Sequence, residues 1–156
     1  MSQYHGIEES PLENLNDMAY VDRSLAVACT RGREAVVSRF RKLLNREGLS
    51  EQQWRVLRIL YDHGSLTSVD IAALACIHKV SISRIIKSLE NQGYTIRTTS
   101  GSDARARNIE LTEYGRRWMK PLVGEALIIH RQIADDFGIE QYEQLLYLLK
   151  KLSNIN

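Results

Sequence analysis

The feature that most constrains how this chain folds is a change of hydrophobic period near its middle. Ile82, Ile85, Ile86 and Leu89 recur at the i, i+3, i+4, i+7 spacing of one helix face, and Gly93 closes the run. The period then drops to two. Tyr94-Thr95-Ile96-Arg97-Thr98-Thr99 alternates as a strand does, Ser100-Gly101-Ser102-Asp103 is turn chemistry, and Asn108-Ile109-Glu110-Leu111 alternates again. A lone hairpin is marginal in water, so these strands must lie against the helices that bracket them.

Those helices are legible from stripes and caps. From Arg23 to Glu47, Leu25, Ala28, Val36, Phe40, Leu43 and Leu44 recur at helical steps, and Gly48 supplies a stop. Ser50 with Gln53 forms a capping box that opens a helix through Asp62, with Trp54, Leu57 and Tyr61 on one face. Thr67 with Asp70 repeats the pattern and opens a short helix holding Ile71, Leu74 and Ala75, followed by the helix Val80–Asn91. Beyond the hairpin, Thr112 is an N-cap with Glu113 in the first turn. The helix it opens buries Trp118, Leu122, Ala126, Ile129, Ile133 and Phe137, and Pro121 inside it should kink it or remove one backbone bond. After Gly138 a last helix, Glu140 to Leu152, carries Tyr142, Leu145, Leu149 and Leu152 on one side, an apolar face expected to dimerise.

The expected fold is mainly α: a winged helix-turn-helix with a two-stranded wing and with long helices at both ends. Residues 1–19, polar with Gly6 and Pro11, read as a mobile leader. Residues 20–156 read as one domain, its DNA-binding part at about 50–112 and its long flanking helices at about 20–47 and 113–153. The hydrophobic share of 44% and charged share of 26% exclude a disordered or collagen-like chain. No run approaches the ~20 apolar residues of a membrane span, and no secretory signal opens the sequence. Two cysteines do not make a disulfide framework, and a reducing, cytoplasmic setting is expected.

Charge sharpens the picture. Residues 1–22 hold five acids and no Lys or Arg, leaving 21 bases against 14 acids in the remainder. A basic body suits a polyanionic partner, although solvated surface charge produces the same balance. The second helix of a helix-turn-helix lies in the DNA major groove. On Val80–Asn91 the buried stripe leaves Ser81, Arg84 and Ser88 on one strip, with Ser83 and Lys87 beside it. Small hydroxyls allow close approach, and Arg can take guanine O6 and N7 together. Ser68, His78 and Lys79 complete the helical set of DNA candidates. A solvated amphipathic helix would look similar, but the hairpin adds Arg97, Arg105 and Arg107 around its tip, where an Arg can enter the minor groove. Asp103 fits there as the partner that holds an Arg by a charge-assisted bond.

The run Asp103-Ala104-Arg105-Ala106-Arg107-Asn108-Ile109-Glu110-Leu111-Thr112-Glu113-Tyr114-Gly115 resembles the wing-to-helix signature of the MarR family of bacterial regulators, Asp-x-Arg followed by Leu-Thr-x-x-Gly. Residues 80–93 resemble its recognition helix, and the likeness covers roughly residues 23–153. Arg33-Glu34-Ala35, followed by Leu49 to Leu60, is similar to regulators of aromatic-acid catabolism, of the homoprotocatechuate- and hydroxycinnamate-degradation kind. The resemblance implies a homodimer, with dimerisation helices at about 20–47 and 113–153, that represses from a palindromic operator and is released by a phenolic acid. It also implies that Arg105 enters the minor groove while Asp103 orients it.

In aromatic-acid-responsive members of the family, an Arg on the first long helix binds the ligand carboxylate. That implies Arg33, with Arg31 as second choice, although an ion pair is an equal use for either. Phe40, Trp54, Trp118 and Met119 are candidates to enclose the ring, and aromatics at this spacing serve equally as plain core. Cys29 and Cys76 are expected to be buried thiols; the competing reading is an oxidant-sensing repressor of the same fold. His5, His63, His78 and His130 share no metal-ligand spacing, and no metal or cofactor is expected. No activated nucleophile or phosphate-cradling loop is present in the sequence, so a small enzyme acting on an aromatic acid is the more distant alternative.

Overall fold

A computed structural model describes residues 19–100 and 103–155, apart from the side chains of Tyr20, Ser100 and residues 103–106. The expected leader and the tip of the hairpin therefore lie outside the described residues. In order, the elements are α1 (Tyr20–Arg23), α2 (Leu25–Glu47), α3 (Glu51–His63), β1 (Leu66–Thr67), α4 (Ser68–Ala75), α5 (Lys79–Asn91), β2 (Thr95–Ser100), β3 (Asp103–Leu111), α6 (Glu113–Phe137) and α7 (Ile139–Ser153). The chain divides into two compact units, residues 1–38 and 39–156.

In the first unit the expected single helix is broken at Ser24. Its hydroxyl accepts the Val27 N–H at 3.4 Å, an N-cap that starts α2 afresh. Arg31 pairs with Asp22 at 3.2 Å. The apolar residues predicted to be buried here, Leu25 and Val36, are exposed, as is Ala28.

The second unit holds the core. Phe40, Leu43 and Leu44 at the end of α2 pack with Trp54, Leu57 and Leu60, with Ile71, with the α5 stripe, with Ile109 and Leu111 of the wing, and with Met119, Leu122 and Ala126 of α6. Ile82, Ile86 and Leu89 are completely buried, as the periodicity requires. Two ion pairs fasten α2 to α6: Arg39 with Asp136 at 2.9 Å, and Arg46 with Glu125 through both guanidinium nitrogens at 2.9 Å.

The caps form where the sequence places them. Ser50 and Gln53 complete a reciprocal capping box, Thr67 accepts from the Asp70 N–H, and Thr112 accepts from the Gly115 N–H. The sheet contains a strand the periodicity does not reveal. β1 pairs with β3, Leu66 opposite Ile109, and the antiparallel order is β1-β3-β2. Two residues are too few to display alternation.

The base of the wing is clamped to α6. The Thr112 hydroxyl donates to the Gly93 carbonyl at 2.7 Å and the Thr112 N–H donates to the Tyr94 carbonyl at 3.0 Å. A Cβ at Gly115 would lie 2.2 Å from that same Tyr94 oxygen. The Leu-Thr-x-x-Gly spacing is thus a cap and a backbone contact made in one turn. α6 runs through Pro121. Its predicted stripe is only partly buried: Leu122 and Ala126 are buried, Trp118, Ile129 and Ile133 are half-buried, and Phe137 is 55% exposed. No residue of α7 is fully buried, with Tyr142 and Leu152 intermediate and Leu145 and Leu149 exposed. The expected burial of these residues needs more surface than one chain supplies.

Candidate nucleic-acid interface and ligand site

The exposed side of α5 differs from the predicted strip by part of a turn. Val80, Ser83, Arg84 and Lys87 are exposed at i, i+3, i+4, i+7 spacing, opposite the buried stripe, and Lys79 is exposed at the helix start. Among the described residues none of Lys79, Arg84 and Lys87 is ion-paired, which leaves a cationic helix face. Ser81 is half-buried. Ser88 is half-buried and occupied: its hydroxyl accepts the Gln53 side-chain amide at 3.2 Å and the Gln92 amide at 3.1 Å. It ties α5 to the start of α3 instead of standing on the open face. His78 is exposed at the N-cap position of α5 and makes no side-chain cap bond, so among the described residues the N-cap leaves the first-turn N–H groups of this helix open. Ser68 is half-buried at the first position of α4.

In the wing, Arg97 is not at an open tip. Its Nε donates to the Glu90 carboxylate at 2.9 Å, so a strand cation is spent on holding the wing to α5. Arg107 is exposed on β3. The side chains of Asp103 and Arg105 lie outside the described residues, although both stand on β3. Ser100 pairs with Asp103 across the hairpin, past an irregularity between Thr99 and Ser100.

The residues predicted to enclose a ligand ring separate into different surroundings. Trp54 and Met119 belong to the core. Trp118 stacks on Tyr94 at 4.2 Å, and Tyr94 stacks on Tyr114 at 5.7 Å, an aromatic column at the base of the wing. Burial, then the neighbouring Tyr114, pushes the Tyr94 phenol upward from its ordinary value. Phe40 faces the His130 ring at 5.0 Å. Arg31 is held by Asp22, and Arg33 is exposed on α2.

The sequence reading assigns no ligand role to Arg58 or to His130, whose ring faces Phe40. Arg58 gives one nitrogen to Asp62 at 3.1 Å and stands 5.8 Å from the Tyr61 ring centre, but its Nη1 is buried with no partner among the described residues. Burial first, and the Arg58 charge second, hold His130 below the ordinary imidazole value. A buried cationic N–H without an acceptor is costly unless something supplies one. The sequence signal was there: Arg58 follows Trp54 at i+4, on one helix face. A cleft of about 410 Å³ between α6 and α7 is lined by His130, Ala134, Ile139, Tyr142 and Leu146, with Arg131, Asp135 and Glu143.

Both cysteines are exposed and free, contrary to the expectation of burial. Cys76 caps α4 in the left-handed region at φ 50°, on the turn between α4 and α5, while its neighbours Ala75 and Ile77 take the buried positions. Cys29 lies in the first unit, where Leu25, Ala28 and Val36 are likewise exposed. Among the described residues no cluster of His, Cys, Asp or Glu is arranged to hold a metal ion, and no helix is long and apolar enough to cross a membrane.

A helix pair with a cationic second helix, a three-stranded wing and long flanking helices define a winged helix-turn-helix regulator of transcription. Residues 49–106 match the MarR family. The chain is 35% identical to the homoprotocatechuate degradative operon repressor of Escherichia coli over 82% of its own length and 86% of that protein's. Its fold matches the solved structure of transcriptional regulator PA4135 with a TM-score of 0.81, at 38% identity, covering 85% of this chain and 98% of that one. It also matches NadR in complex with 4-hydroxyphenylacetate, with a TM-score of 0.78 at 30% identity, covering 90% and 96%. The chain belongs to the MarR family of DNA-binding transcription regulators.

Proposed function

We propose that the protein is a cytoplasmic, homodimeric repressor that binds a palindromic operator and is released by a phenolic acid of the hydroxyphenylacetate or hydroxycinnamate type, controlling aromatic-acid catabolism. The observation that carries the effector reading is the buried Nη1 of Arg58, which has no partner among the described residues and whose charge acts on His130, the ring that faces Phe40. A carboxylate or phenolic oxygen supplies the acceptor this group lacks, and the aromatic ring suits the surrounding rings. Support comes from NadR, solved with 4-hydroxyphenylacetate, and from the E. coli relative named for a homoprotocatechuate operon. Arg33 remains a second candidate for the carboxylate, because a guanidinium fork suits that group wherever water is excluded.

On the DNA side, Arg84, Lys87 and Ser83 of α5 face the major groove, His78 and Lys79 meet phosphate at the uncapped helix start, and Arg105 and Arg107 reach the minor groove. Arg105→Ala is expected to weaken operator binding at least tenfold, about 1.4 kcal/mol, with Asp103→Ala weakening it less. Wild-type affinity for Arg105→Ala at moderate salt would remove the wing from the interface.

Calorimetry with 4-hydroxyphenylacetate and 4-hydroxycinnamate tests the ligand site. Arg58→Gln is expected to keep operator affinity and lose at least tenfold in acid affinity, with Arg33→Ala measured in parallel. Unchanged acid affinity in both variants would exclude a carboxylate site at either residue.

The exposure of both thiols favours one second reading, an oxidant-sensing repressor. Under it, peroxide would release wild type from the operator but not the Cys29→Ser or Cys76→Ser variant.

A further inference from the structure

We infer that Val80 is a specificity-determining residue that recognises the C5-methyl group of a thymine in the operator. Val80 is 60% exposed at the second position of α5. It shares the open strip with Ser83, Arg84 and Lys87, while the stripe that anchors α5 in the core points the opposite way. Its side chain therefore contributes little to the fold. It does not favour the helix either, since a β-branched residue on an exposed turn is a weaker helix former than Ala, Lys or Glu.

An apolar group at the start of a cationic strip gains only when something apolar covers it. The N-terminal residues of a recognition helix are the ones that meet base edges. In the major groove the base edges offer donors and acceptors, with one apolar feature among them, the methyl of thymine. Ser83, Arg84 and Lys87 can satisfy polar edges; a valine can gain only from the methyl. The inference rests on α5 lying in the major groove.

The test uses the full-length protein and an operator selected with it from random-sequence duplexes. Each thymine is replaced in turn, in both half-sites, by deoxyuridine, which removes the methyl and nothing else. Wild type, Val80→Ala and Arg84→Ala are compared. At one position deoxyuridine is expected to weaken wild type about fourfold per half-site, the loss of one buried methyl. Val80→Ala should bind the thymine and deoxyuridine operators equally there, with a melting temperature no lower than wild type. If Val80→Ala keeps the wild-type response to deoxyuridine at every thymine, or if wild type responds at none, the assignment is wrong. Arg84→Ala separates the two levels. If its selected sequence preference matches wild type, the groove placement of α5 fails as well; if it relaxes a base pair while Val80→Ala changes nothing, only the thymine contact fails.

Discussion

A methyl group at position 115 has nowhere to go. The Tyr94 carbonyl that receives the Thr112 N–H already occupies the place a Cβ would need. Gly115→Ala must push the wing base from α6, a backbone overlap that costs about 2 kcal/mol, checked by urea unfolding against wild type. Other residues read differently in the structure than in the sequence for a common reason. Periodicity says which face of a helix is buried, not which polar groups find one another across elements. Thus Ser88 joins Gln53 and Arg97 joins Glu90, both taken from the expected DNA surface. If Arg97 serves the wing and not phosphate, Arg97→Gln leaves the slope of log affinity against log salt unchanged. Lys79→Ala, which removes an open cation placed at phosphate, lowers that slope by about 0.9 per half-site. Equal changes in slope for the two variants would return Arg97 to the phosphate contacts.

Among the elements, those opened by side-chain caps were legible to within a residue or two, because a cap and a stripe are both local. β1 was not, being too short to show a period, and neither was the break at Ser24. The end of α6 and all of α7 carry a helical apolar pattern that the chain alone leaves open at Phe137, Leu145, Leu146 and Leu149. The pattern announced burial correctly for the stripes that meet the second unit's core, and its remainder calls for a second copy. Leu149→Asp is expected to convert a dimer to monomer or aggregate in sedimentation at micromolar concentration; a stable wild-type monomer there would contradict that reading. The contact of α2 with α6 also has a pH signature. His130 titrates below its unfolded value of about 6.5, so the unfolded chain binds the more protons just below that pH. Stability therefore rises with pH up to about 6.5 and is lost on acidification through that window. The melting temperature of His130→Gln should be flatter than wild type across the same range.

At the scale of the whole molecule, the proposed function is a coupling between two sites. Operator half-sites recur at about 34 Å, one helical turn, so a dimer binds only when its two recognition helices keep that spacing. An acid that binds better to a dimer with another spacing shifts the population away from DNA, by its differential affinity and no more. α3 is placed for that role. It carries Arg58, the residue proposed to meet the acid, and reaches α5 through the bond from the Gln53 amide to the Ser88 hydroxyl. The proposal of an aromatic acid came from the sequence's family likeness, while the Arg58 nitrogen, without a partner among the described residues, became visible only once the packing around it was known. The most direct test is operator binding by fluorescence anisotropy, with and without saturating 4-hydroxyphenylacetate or 4-hydroxycinnamate. One of these acids should weaken wild-type binding at least tenfold, a coupling of about 1.4 kcal/mol, and leave Arg58→Gln bound. Operator affinity that stays constant for wild type in both acids would contradict the account.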